Sequence, residues 1–133
     1  MSAIFKKLNL KDLKEIVLLN APQSFEGEFA QLEGVTVRRD LAAVESFTFL
    51  LAFVTKLAEV HDLLARMAPK MVGDAVLWFA YPKGTSKKYQ CDFNRDSLWQ
   101  VLEPLGYRPV RMVAIDEDWS GFRFKRSEFI KKK

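Results

Sequence analysis

Apolar residues follow two rhythms along this chain, and the rhythms alternate. Glu15-Ile-Val-Leu-Leu-Asn20 is a β-branched and leucine run closed by Asn-Ala-Pro, which predicts a buried strand. Ser24 then reads as a helix N-cap, with Phe25, Phe29 and Leu32 on one helical face and Gly34 at the end. Val35-Thr-Val-Arg-Arg39 alternates as a second strand, and Leu41 and Val44 lead to Phe47–Val54, a third. That third run is apolar at nearly every residue, as a central strand covered on both faces requires. From Thr55 the period lengthens: Leu57, Val60, Leu64 and Met67 form one stripe, while Lys56, Glu59, Asp62 and Arg66 form the other. Pro69 and Gly73 mark the end of that helix.

Ala75–Tyr81 reads as a fourth strand. After a long loop, Asn94-Arg-Asp-Ser opens a helix carrying Leu98, Val101, Leu102 and Leu105, stopped at Gly106. Pro109–Ile115 and Gly121–Lys125 close the chain as two strands, joined closely enough for an antiparallel hairpin. Alternating strands and helices imply right-handed crossovers between parallel neighbours. The expectation is a three-layer, Rossmann-like α/β fold with a mostly parallel sheet of about five or six strands, ending in that hairpin as its antiparallel edge. Residues 1–126 form a single domain in this reading and 127–133 a basic tail.

Such a sheet gathers the loops that follow its parallel strands on one rim, where ligands bind near the point at which strand order reverses. Two of these loops carry the chemistry. Lys83-Gly-Thr-Ser-Lys87 suits an anion: glycine lets backbone approach closely, Ser86 donates, and Lys83 and Lys87 supply charge. The spacing is not that of a phosphate loop, and a solvated turn remains the competing interpretation. Arg95 is a planar donor to a carboxylate or phosphate, or else a partner for a neighbouring acid at the helix start. Asp116 and Asp118 lie on one side of the Asp-Glu-Asp run, either as cation ligands or a general base, or simply as solvated turn acids. Trp119 beside them either stacks a ring or caps the core. Asn20-Ala-Pro stands where a dinucleotide or S-adenosylmethionine site would want glycines, and the sequence leaves any cofactor unknown. The segment from Pro82 to Phe93 exceeds the usual length of a strand-to-helix connection and invites a functional loop, a small extra strand or a flap.

Composition narrows the partners. The chain has 133 residues, 49% of them apolar, with 11 Phe and 3 Trp, enough to bury a sizeable core. No apolar run approaches the ~18 residues of a membrane span, and the N-terminus lacks the form of a signal peptide. One cysteine, Cys91, forms no intrachain disulfide, so a reducing cytoplasm is expected. One Cys and one His exclude a zinc site built from those two residue types alone. The net charge is +4, but residues 125–133 hold five of the 21 cations and one of the 17 acids, leaving the rest at zero. The expected basicity is therefore that of a tail, Lys131-Lys133, and nucleic acid is expected only there.

The strand Ala75-Val-Leu-Trp-Phe-Ala-Tyr-Pro-Lys with its Gly/Thr/Ser/Lys loop, the Asn94-Arg95-Asp96 helix start, and Val113-Ala-Ile-Asp-Glu-Asp-Trp-Ser with Phe122-Arg-Phe resemble a family of small bacterial α/β proteins. That family is known only as a domain of unknown function. The resemblance implies a compact cytoplasmic α/β protein and brings no catalytic residues or cofactor.

Three functions compete at this stage. The favoured one is a binding module that takes a small phosphate- or carboxylate-bearing ligand at the rim. The others are an interaction module or homodimer paired through an edge strand or aromatic patch, and a small hydrolase or transferase using Asp116 or Asp118.

Overall fold

The protein is seen in a computed structural model that describes residues 15–29, 35–84, 86 and 89–126. In chain order its elements are β1 (Glu15–Leu19), α1 (Gln23–Phe29), β2 (Thr36–Arg38), β3 (Phe47–Phe53), α2 (Leu57–Met67), β4 (Met71–Pro82), α3 (Arg95–Leu102), β5 (Tyr107–Ala114) and β6 (Trp119–Arg126). Short 3-10 turns at Leu41–Ala43, Ala68–Lys70 and Glu103–Leu105 fill connections between them.

The six strands form one sheet ordered β2-β1-β3-β4-β6-β5. The first four are mutually parallel; β6 is antiparallel to both β4 and β5. The expected mixed α/β sheet is present, but the final hairpin is laid on in inverted order. Strand β6 inserts beside β4, and β5 becomes the edge, running in the same direction as β4. The reason lies in the residues. Phe122 and Phe124 of β6 are almost wholly buried, whereas β5 exposes Val110 and Met112 at 40% each.

Burial on both faces explains the parallel core. In β3, Phe49, Leu50, Leu51 and Ala52 are fully buried, as are Leu77, Trp78, Phe79 and Ala80 of β4. One face packs against α2 through Val60, Leu63, Leu64 and Met67, and against α3 through Leu98 and Leu102. The other face packs Ile16, Leu18, Phe49, Leu51, Trp78 and Ala80 with Phe25 of α1. Helices on both faces give the three layers.

Some boundaries depart from the sequence pattern. Strand β4 starts at Met71 rather than Ala75, because Met71 pairs with Phe47 across an irregularity in β3. Gly73 is therefore inside the strand at φ +57, not a helix terminator. Helix α1 begins at Gln23, directly after Pro22, so Ser24 lies within it; its expected end at Gly34 falls outside the described residues. The last strand begins at Trp119, two residues earlier than its pattern suggests.

Candidate functional site

Strand β4 runs out at Tyr81-Pro82, where Pro82 still pairs with Trp119 of β6. Beyond it the chain turns at Lys83-Gly84, held by two bonds: the Lys83 amide donates to the Asp118 carbonyl at 2.8 Å, and the Ser86 amide to the Lys83 carbonyl at 3.0 Å. The Ser86 hydroxyl donates to Asp118 Oδ1 at 2.9 Å and accepts from the Tyr89 amide at 3.2 Å. Two of the loops singled out in the sequence thus meet and brace each other.

The returning chain, residues 89–94, forms no strand. It crosses the carboxyl end of β3 as a strap: the Asp92 amide donates to the Thr55 carbonyl at 3.0 Å, and Asp92 Oδ1 accepts from the Leu57 amide at 2.8 Å. Glu59 reaches back from α2 to accept from the Thr55 and Lys56 amides at 3.0 Å each, fixing the same corner. Asn94 then caps α3, accepting from the Ser97 amide at 2.9 Å.

Between turn, strap and helix start lies a cavity of about 600 Å³. Lys83, Ser86 and Arg95 line it, together with Tyr81, Tyr89 and Cys91, and among the described residues none of the lining is an acid. Among the described residues, the ion pair of Arg95 is an exposed, long contact with Asp96 at 3.9 Å, too open and distant to neutralise it. Burial raises the Cys91 thiol above its ordinary range, the Phe93 backbone opposing and the nearby Asp92 and Glu59 adding to the rise. Burial likewise raises the Tyr81 phenol, against the pull of Arg95. Both groups therefore stay protonated and neutral near pH 7, which makes Cys91 a poor nucleophile; the charged groups among the described lining residues, Lys83 and Arg95, are cations.

Of the seven candidate residues, the structure brings Lys83, Ser86 and Arg95 to one cavity. Lys87 lies outside the described residues. Asp118 stands behind the cavity as the acceptor for Ser86. Asp116 is occupied by its own turn, its Oδ1 accepting from the Asp118 amide at 2.8 Å and the Trp119 amide at 2.9 Å. Among the described residues, no cluster of three His, Cys, Asp or Glu side chains is placed to hold a metal. Trp119 is 3% exposed and packs edge-on against Phe53 at 5.0 Å, with Tyr89 against it at 4.9 Å. It belongs to the core, and Tyr89 is the ring that reaches the cleft. Sequence reasoning passed over Tyr81 and Phe93, whose rings meet at 5.7 Å and form the apolar part of the lining. Their only signal was an aromatic at the last apolar position of a strand and another just before a helix cap.

The rim is differently built at β1 and β3, where strand order reverses. Asn20 takes φ 59 and is followed by Ala21-Pro22. Phe25 and Phe53 meet at 5.1 Å, each 3% exposed or less, and continue through Trp119 to Tyr89. On the flank, Arg39 grips Glu26 with both nitrogens at 2.6 and 2.7 Å, and that bond holds the Glu26 carboxyl below its usual range.

No protein-family model matches this chain, and no curated protein matches it by sequence. Solved structures do. A protein from Sulfolobus solfataricus described as a type 11 methyltransferase superposes with a TM-score of 0.57 at 6% identity, covering 93% of this chain and 89% of that one. The fibrillarin pre-rRNA processing protein of Methanococcus jannaschii gives 0.56 at 11% identity, over 89% and 68%. LepI, solved in complex with SAM, gives 0.54 at 10% identity, over 92% of this chain but 39% of its own. At such identities these likenesses show the fold alone: the chain has the Rossmann-like α/β fold of these proteins.

Proposed function

We propose that this chain is a binding module for a small ligand bearing phosphate or carboxylate, taken in the cleft at the carboxyl end of β4. The observation that carries this reading is one cavity uniting Lys83, Ser86 and Arg95 without an acid among its described lining residues. Arg95 offers a planar pair of donors, Lys83 a mobile point charge, and the turn at Gly84 a close backbone approach. Tyr89 and Phe93 provide an apolar wall for the rest of the ligand.

The structural neighbours raise SAM as a ligand. Its crevice would open where strand order reverses, between β1 and β3. There Asn20-Ala-Pro replaces the glycines that let a backbone approach a nucleotide, and Phe25, Phe53 and Trp119 fill the space with buried rings. The strap through Asp92 crosses the end of β3 beside them. These residues do not fit SAM at that position.

Thermal unfolding against inorganic phosphate, pyrophosphate, nucleotides, coenzyme A and SAM tests the proposal. A ligand at ~100 times its Kd stabilises the fold by about 2.7 kcal/mol. The expected result is a melting shift with one of the anions, absent in Lys83→Ala/Arg95→Ala, and none with SAM. An anion shift that survives in that double variant overturns the assignment of the cleft.

A further inference from the structure

The cleft beyond β4 is larger than a bare anion needs and only partly polar. At about 600 Å³ it has room for roughly 20 waters, so inorganic phosphate alone would leave most of it wet. Its chemistry is divided between two walls. The turn wall carries Lys83 and Ser86 and leads into Tyr89, whose amide donates to the Ser86 hydroxyl at 3.2 Å. The other wall, strand end and helix start, carries Tyr81, Phe93 and Arg95. Arg95 is near enough to Tyr81 for its charge to oppose the rise of the phenol.

Tyr89 differs from the other rings of the lining. Tyr81 and Phe93 are 7% and 9% exposed and pack into the core, whereas Tyr89 is only half-buried. Trp119 backs Tyr89 at 4.9 Å and is itself held edge-on by Phe53, so the Tyr89 ring is a supported platform at the cavity wall. Beside it, Gln90 and Asn94 add two carboxamides to the lining. Asn94 Oδ1 is committed to the helix cap, accepting from the amide and hydroxyl of Ser97 at 2.9 and 3.0 Å, so Asn94 has its amino group to offer.

We propose that the ligand of this cleft is a 5′-nucleotide, its base on the Tyr89 ring and its phosphate between Lys83 and Arg95. This rests on the binding-module reading above and adds the class of ligand. A phosphate monoester carries close to two negative charges at pH 7, which Lys83 and Arg95 match. A nucleoside monophosphate, with roughly 20 non-hydrogen atoms, is of a size for a pocket of several hundred Å³. Every base has a face that stacks on an aromatic side chain and an edge of donors and acceptors that a carboxamide pairs with. An aryl phosphate has the face without the edge, and a sugar phosphate has neither.

The test is isothermal titration calorimetry of the whole chain with AMP, GMP, CMP and UMP, set against ribose 5-phosphate and phenyl phosphate. At least one nucleotide should bind about tenfold tighter than ribose 5-phosphate, the gain that stacking one base on a ring brings. It should also bind severalfold tighter than phenyl phosphate. Tyr89→Leu keeps an apolar side chain against Trp119 and should cut the nucleotide's advantage to about twofold, with ribose 5-phosphate unchanged. Tyr89→Phe keeps the ring and should retain the advantage. Ribose 5-phosphate binding at least as tightly as every nucleotide overturns the ligand class while the anion site stands. Phenyl phosphate matching the best nucleotide overturns it in favour of a smaller aromatic phosphate, and an advantage that survives Tyr89→Leu overturns the placing of the base. If neither nucleotides nor ribose 5-phosphate bind, or Lys83→Ala/Arg95→Ala leaves their binding unchanged, the anion-binding reading itself fails and this inference with it.

Discussion

Two stretches of the same rim, one over β1 and β3 and one beyond β4, have opposite character. Over β1 and β3, rings from α1, β3 and β6 pack at 5.0–5.1 Å and exclude water. Beyond β4, a polar turn and a strap stand apart around a cavity of about 600 Å³ that carries two cations. The fold shared with methyltransferase-like structures therefore does not dictate where a ligand goes. A rim offers several loop ends, and the side chains at each decide which is packed and which stays open. In this chain the switch point is packed with rings, and the neighbouring loop leaves a cavity open.

That contrast can be broken from its packed side first. Phe53→Ala removes the ring at the centre of the aromatic chain and should cost about 3–5 kcal/mol in chemical denaturation. It should leave anion affinity in the cleft within about twofold; a large change there would mean that the two regions are one site. Next, Lys83→Ala/Arg95→Ala should weaken the anion found by the thermal panel by about 2–3 kcal/mol, measured calorimetrically, since charge-assisted bonds are the strong ones. Its stability should stay within about 0.5 kcal/mol of the parent, as both changes are at the surface.

A smaller effect sharpens the role of the acids. Asp116→Ala leaves two backbone amides of the hairpin turn without their acceptor and should destabilise by about 1 kcal/mol. Asp116→Asn keeps an acceptor oxygen and should recover most of it. Failure of Asn to rescue would show that the negative charge itself matters, as a cation ligand or base requires. The smallest effect is with pH. Cys91 and Tyr81 both have raised values in the folded state, so each contributes stability that is complete below its unfolded value. That contribution is lost as pH rises from about 8.5 through the folded values. Denaturation midpoints should decline over that alkaline range and hold steady between pH 6 and 8, and iodoacetamide should label Cys91 slowly at pH 7. Fast labelling at neutral pH would mean that the thiol is not desolvated and that the cleft is wetter than its lining suggests.

The strands and helices were legible because burial is periodic and local. Phe47–Phe53 could only be central, and Leu57, Val60, Leu64 and Met67 could only share a face. So were Lys83, Ser86 and Arg95 as a group, since they follow one strand and open the next helix. Gly73 misled because a glycine after a helix and a glycine in a bulged strand look alike in sequence; only pairing with β3 separates them. Trp119 was read as part of the loop because nothing local says that β6 inserts beside β4 and that its first residue pairs with Pro82.

The sequence by itself determined the class of fold, the length and order of most elements, and which loops carry polar chemistry, all of which depend on neighbours a few residues apart. Tertiary structure decided what those loops do. Phe25, Phe53, Tyr89 and Trp119 are far apart in the chain, and only folding stacks them into a plug. Charge followed the same rule: residues 1–124 sum to zero, yet strand pairing and one bulge bring Arg108, Arg111 and Arg123 onto a single face with Lys125. Composition counts charges, whereas register decides which of them meet.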